Sequence, residues 1–168
     1  LVTDNEEFHG KAVAENTAGL CSNIIGQWIF GGLAHESHAD LKAWYDKQRE
    51  SYRGMLTDFT KRLHDLLPGV IISRPDASLY SVVEVRDIVP ADFDALEFVL
   101  WCAREGVVEV EGEKLTLLTA PMAGFYSTKP GQENPGRTQM RIAYVESPER
   151  MRLVPDLLAG LLKDYLAR

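Results

Sequence analysis

The chain opens with residues at helical spacing and switches to strand alternation near its middle. Asp4–Leu20 begins Asp4-Asn5-Glu6-Glu7, an N-cap with an acidic first turn, and Phe8, Ala12 and Val13 follow at helical intervals. Gly19 is a candidate stop. Ser22–Leu33 predicts a second, very apolar helix ended by Gly31-Gly32. The clearest period runs over Ser37–Leu67. There Leu41, Trp44/Tyr45, Gln48, Tyr52, Met55/Leu56, Phe59, Leu63 and Leu66/Leu67 recur every three or four residues, with Pro68-Gly69 as the stop. At ~1.5 Å per residue a helix of about thirty residues is ~45 Å long. That exceeds the needs of one small domain.

Beyond Pro68 the period falls to two. Val70–Ser73 and Ser78–Val85 read as strands around a Pro75-Asp76-Ala77 turn. Pro90–Glu105 returns to helix with Phe93, Leu96, Val99/Leu100 and Ala103 on its apolar face, and Gly106 ends it. Val107–Val110 and Lys114–Thr119 form a predicted hairpin over Glu111-Gly112-Glu113, and Gln139–Val145 is a further strand. Ser147-Pro148-Glu149 caps a last helix that Pro155 should kink or restart. Its apolar face is Met151, Val154, Leu157/Leu158, Leu161/Leu162 and Tyr165.

This order predicts an α+β fold: a small, mostly antiparallel or mixed sheet packed with helices, one of them long enough to run between domains. The helices before Ser37 have no sheet of their own. Residues 1–36 are therefore expected to be the edge of another domain, and 37–168 a C-terminal domain. The opening Leu1-Val2-Thr3 is β-prone, lacks an initiator Met and has no partner strand nearby, which suggests a piece of a longer protein or a processed terminus.

Composition narrows the function. An apolar fraction of 45% and a charged fraction of 26% are globular values. With a net charge of -7 and no run of Lys or Arg longer than two, nucleic acid is not the expected partner. No apolar run reaches the ~20 residues of a membrane span, and no signal segment opens the chain. Cys21 and Cys102 sit in apolar helical contexts and read as reduced, buried thiols of a cytoplasmic protein.

Most site signatures are absent. His35 and His38 stand three apart without a third ligand, so a solvated helix start explains them better than zinc. There is no Gly-x-Gly-x-x-Gly, phosphate loop or Gly-x-Ser-x-Gly elbow. The informative stretch is Ala120–Val145: an aromatic loop, Ala-Pro-Met-Ala-Gly-Phe-Tyr-Ser-Thr, then Gly/Pro-rich Lys129–Arg137, then a strand carrying Arg141. Alternation turns Met140, Ile142 and Tyr144 one way and Arg141, Ala143 and Val145 the other. An arginine amid apolar residues needs an anion, and its fork suits a carboxylate. The residues alone leave two equal choices: an external carboxylate, or an internal salt bridge to one of the 25 acidic residues.

Ala-Pro-x-x-Gly-Phe-Tyr-x-Thr followed by Met-Arg-Ile-Ala-Tyr-Val resembles the class I/II, fold-type-I, pyridoxal-phosphate-dependent aminotransferases, with the aspartate-aminotransferase-like branch as the nearest likeness. Arg74–Tyr80 resembles the start of the family's Pro-x-Gly-Ala-Phe-Tyr strand, Asp46–Arg53 part of its long inter-domain helix, and Leu20–Gln27 the segment after its catalytic lysine. The resemblance covers nearly the whole chain. It implies that the chain is the C-terminal portion of such an enzyme: the small domain plus the edge of the large one.

By the same resemblance Arg141 would grip the substrate α-carboxylate and orient the Cα–H bond, while Ser22 and Asn23 would lie near the active site. The parent would use pyridoxal phosphate to transfer an amino group between an amino acid and a 2-oxo acid, as a homodimer. Lys11, Lys42, Lys47, Lys61, Lys114, Lys129 and Lys163 all lack the family's Ser-x-x-Lys setting, so the Schiff-base lysine is missing. The chain alone is expected to be inactive and to hold no cofactor, and catalytic, cofactor-binding and metal residues are expected to be none. Ala77, Ser78 and Ile24-Ile25 depart from the family pattern. Thr17-Ala18-Gly19 stands where some dicarboxylate-using members carry Arg, which argues against aspartate as substrate. The competing reading is a standalone α+β domain that binds a small carboxylate in a regulatory role.

Overall fold

The computed structural model describes residues 3–19, 23–74 and 79–168. The predicted Pro75-Asp76-Ala77 turn, Cys21 and Ser22 lie outside them. The chain divides into two compact units, Leu1–Lys47 and Gln48–Arg168, the division falling within a long helix.

The first unit is helical. Helix α1, Glu6–Ala18, has Glu6 and Glu7 in its first turn and Asn5 as its N-cap, whose side chain accepts from the Phe8 amide at 2.9 Å. Gly19 ends it. Helix α2, Ile24–Gly31, runs into a 3-10 turn over Gly32–His35. Helix α3, His38–Leu66, then begins, with the Ser37 hydroxyl accepting from the Asp40 amide at 3.1 Å. Its 29 residues make it about 44 Å long at the standard rise.

The second unit is α+β. Strands β1 (Ile71–Ile72), β2 (Tyr80–Glu84), β5 (Ala120–Pro121) and β6 (Gln139–Ala143) make one sheet in the order β1-β2-β6-β5, every neighbouring pair antiparallel. Strands β3 (Val108–Val110) and β4 (Glu113–Leu115) form a separate hairpin. Its turn residues, Glu111 and Gly112, have φ of 53° and 82°, the left-handed pair that a two-residue hairpin turn requires. The sequence predicted β4 to run on to Thr119. Instead the chain leaves the hairpin after Leu115 and joins the main sheet at Ala120.

Helix α4 spans Ala95–Arg104, not Pro90–Glu105. Asp94 is extended, and its side chain caps the amides of Leu96 at 2.7 Å and Glu97 at 3.4 Å. A helical count started at Phe93 crosses that extended residue and lands on the wrong face. The buried face is Ala95, Phe98, Trp101 and Cys102, while Leu96 and Leu100 are exposed. Pro155 does restart the last helix: α5, Pro148–Met151, is followed by α6, Val154–Leu166.

Alternation along β6 places Met140 and Ile142 in the core, with Tyr144 just beyond the strand. They join Phe59 and Leu63 of α3, Val83 of β2, Phe98 of α4, and Leu158 and Leu161 of α6 in one apolar cluster. Gln139, Arg141 and Ala143 fall on the other face of the sheet and are only half-buried.

Candidate carboxylate-binding site

The register of the sheet builds the site. Arg141 lies in the middle of β6, opposite Val82 on β2 and Ala120 on β5. Two small side chains flank it directly, so its long stem is not crowded. Tyr80, two residues from Val82 along β2, and Phe125, just past β5, reach it from the two flanking sides. The guanidinium carbon lies over the Tyr80 ring at 4.4 Å from its centroid and over the Phe125 ring at 4.9 Å. Both distances are within cation–π range.

Arg62, Arg86, Arg137, Arg150 and Arg152 each meet a carboxylate: Asp156, Glu84, Glu133, Glu146 and Glu111. Arg141 meets none among the described residues. Arg168 also lies over two rings, Trp101 and Tyr165, but it is exposed at the chain end. Arg141 is half-buried in mid-strand, where an unmatched positive charge is costly. A cavity of about 480 Å³ has Thr119, Arg141, Ala143, Val145, Glu146 and Leu157 among its lining residues.

The Phe125 side of the site is fixed by local hydrogen bonds. A 3-10 turn over Ala123–Phe125 faces another over Pro135–Thr138. The Asn134 amide donates to the Ala123 carbonyl at 2.9 Å, and its oxygen accepts from the Gly136 amide at 2.8 Å. A Cβ on Gly136 would stand 2.5 Å from the Met122 carbonyl carbon, so glycine is what lets the two turns approach. The Tyr126 hydroxyl donates to Gln139 Oε1 at 2.6 Å, and Gln139 Nε2 donates to Glu84 at 3.0 Å. Glu84 is buried and also accepts from the Thr138 hydroxyl and the Arg86 amide. Burial pushes its carboxyl pKa up. The bonds from Thr138, the Arg86 backbone and Gln139, together with the Arg86 charge, outweigh burial and hold it below the ordinary carboxylate value.

Of the residues singled out from sequence, Arg141 belongs to the second unit. Asn23 belongs to the first, where its side chain caps α2 by accepting from the Gly26 amide at 3.1 Å. Ser22 lies outside the described residues. Sequence reasoning passed over Tyr80, Phe125, Gln139 and Glu84 as parts of the site. The signal was present for the two aromatics, since both stand in the stretches that carry the family resemblance.

No family model matches the chain, and no curated protein matches it. Solved structures do. The α-aminoadipate aminotransferase of Thermus thermophilus, solved with N-(5'-phosphopyridoxyl)-L-leucine, is 18% identical with a TM-score of 0.69. The match covers 99% of this chain and 38% of that one. The kynurenine aminotransferase of Pyrococcus horikoshii, solved with PMP, is 17% identical with a TM-score of 0.65, over 97% of this chain and 36% of that one. A Thermus thermophilus aspartate aminotransferase mutant is 19% identical with a TM-score of 0.60, over 89% and 34%. The fold is an aminotransferase fold. The chain spans little more than a third of the length of these aminotransferases.

All seven lysines are exposed, and Lys11 and Lys42 are engaged by Glu7 and Asp46 on their own helices.

Proposed function

We propose that the chain is the substrate-carboxylate-binding part of a pyridoxal-phosphate-dependent aminotransferase, with Arg141 as the anchor for the α-carboxylate of the amino or 2-oxo acid. The observation that carries this reading is the guanidinium of Arg141, half-buried in mid-strand and facing no carboxylate among the described residues. Its five N–H donors suit a two-point grip on a substrate carboxylate. Such a grip fixes the position and tilt of the substrate, the contribution binding residues make to proton removal at Cα. In this reading residues 1–36 are the edge of the large domain and 37–168 the small domain. Ser22 and Asn23 lie near the substrate, the parent is a cytoplasmic homodimer, and the cofactor, which acts as the electron sink when bound, is held by residues outside this chain.

The test is the longer reading frame. The protein it encodes, supplied with pyridoxal phosphate, should exchange amino groups between an amino acid and a 2-oxo acid, and the 168-residue chain alone should not. Arg141→Gln in the longer protein should raise the amino-acid KM roughly thirtyfold or more, the scale of about 2 kcal/mol for a lost charge-assisted pair. An unchanged KM overturns the assignment of Arg141. Saturable, borohydride-trapped attachment of pyridoxal phosphate to one lysine of the short chain overturns the reading of the chain as a part without its own cofactor site.

A further inference from the structure

A carboxylate partner would hold Arg141 still, but it would also occupy the donors and neutralise the charge that a substrate needs. Aromatic rings do neither. They meet the guanidinium through its flat face, whereas its N–H groups point outward in its plane. An arginine restrained only by rings is therefore ordered before the ligand arrives and keeps its donors free. The rings here come from both sides of β6, at 4.4 Å for Tyr80 and 4.9 Å for Phe125.

The two walls differ in how they are held. Tyr80 is on a strand in register with β6, opposite Ala143. Phe125 sits on a loop turn, which by itself would be a loose support. That turn is tied at Ala123 by Asn134, and its next residue, Tyr126, is tied through Gln139 to buried Glu84. The fixation of the loop thus passes by side-chain hydrogen bonds into the same two strands, β2 and β6, that carry Tyr80 and Arg141.

We propose that Tyr80 and Phe125 are positioning residues that clamp the Arg141 guanidinium by its faces and present its N–H edge to a carboxylate, with the Tyr126–Gln139–Glu84 chain fixing the Phe125 wall. This rests on the carboxylate-anchor reading above. Both rings are partly exposed, so replacing them leaves the apolar core intact. The clamp predicts that lost ring faces matter and lost apolar bulk does not.

The experiment uses the 168-residue chain with its arginine Nε–Hε groups labelled for NMR, the Arg141 signal identified by its loss in Arg141→Lys, and pyruvate as the probe carboxylate. Tyr80→Leu and Phe125→Leu should each drop the Arg141 side-chain order parameter into the flexible range, below about 0.6. Each should weaken the pyruvate-induced shift of that signal roughly three- to tenfold. Tyr80→Phe and Phe125→Tyr, which keep the ring, should preserve both. Unchanged Arg141 order in both leucine variants overturns the clamp, whatever pyruvate does. Pyruvate binding that survives Arg141→Lys, or no pyruvate response in the unmodified chain, overturns the anchor reading instead and leaves the order parameters to judge the clamp.

Discussion

The carboxylate of Glu84 on β2 accepts a 2.5 Å hydrogen bond from the Thr138 hydroxyl, which enters β6 from the other side of the pairing. With Gln139 at 3.0 Å and the Arg86 amide at 2.9 Å, this makes Glu84 a buried, charged acceptor surrounded by donors. Its folded pKa lies below the ordinary 4.5. Its contribution to stability is therefore fully present above about pH 4.5 and is lost as pH falls through the folded value. Glu84→Gln turns one acceptor oxygen into a donor against the Gln139 amide and should cost about 1–3 kcal/mol at neutral pH. Urea unfolding of both proteins across the acid range should show the difference shrinking below pH 4.5. A constant difference down to strong acid would show that Glu84 is not bound as the anion.

Gly136 marks the closest approach of the two 3-10 turns. A methyl group there would meet backbone atoms of Met122 and Ala123 at 2.5 to 2.7 Å, and backbone cannot swing aside as a side-chain tip can. Gly136→Ala should destabilise the unit by about 1–3 kcal/mol, as overpacking does. Gly124 stands two residues past Met122 with nothing within 4 Å of a built Cβ, so Gly124→Ala should be close to neutral. Thermal unfolding of the two variants side by side checks the contrast, and equal midpoints would contradict it.

Tyr144 closes the core under β6, stacked edge-on to Phe59 at 5.5 Å and bonded through its hydroxyl to Ser81 at 3.1 Å. Both residues are almost fully buried. Tyr144→Phe leaves the Ser81 hydroxyl without this partner and should cost about 1 kcal/mol, while Ser81→Ala added to it should recover part of that loss. Burial, partly offset by the Ser81 bond, raises the Tyr144 pKa from 10.0 to about 12. The stabilisation linked to this phenol is full below pH 10 and declines as pH rises towards 12. Alkaline unfolding should therefore be shallower in Tyr144→Phe. A double-mutant cycle and an absorbance titration of the phenolate measure the two effects.

The second unit was largely legible in the chain because its apolar positions obey simple periods. The alternation Met140, Ile142, Tyr144 against Arg141, Ala143 gave the two faces of β6, and Pro155 marked the restart of the last helix. The errors arose where one extended residue interrupts a period. Asp94 shifted the face of α4, and the departure of Leu117-Leu118 from the hairpin left β5 unseen, since a two-residue strand is defined by its partner rather than by its own composition. The surroundings of Arg141 were illegible for a related reason. Tyr80 and Phe125 are 61 and 16 residues away in sequence, and only the β2–β6–β5 register brings their rings to one guanidinium. The same register sets Val82 and Ala120, neither of them acidic, directly opposite Arg141.

Helix α2 is as apolar as a core helix, yet its large side chains are open: Trp28 is 78% exposed, Ile29 73% and Phe30 76%. With exposed Ile24 and Ile25, one turn earlier, they cover this short helix in apolar side chains, and such surfaces associate. The 168-residue chain should therefore self-associate in a concentration-dependent way through α2. Because hydrophobic association weakens on cooling, the effect should lessen at low temperature. Trp28→Lys with Phe30→Glu should abolish it without changing the unfolding midpoint of the second unit, which has its own apolar cluster. Sedimentation velocity over a dilution series is the direct measurement. A single concentration-independent species in the unmodified chain, or association that persists in the double variant, would place the contact elsewhere.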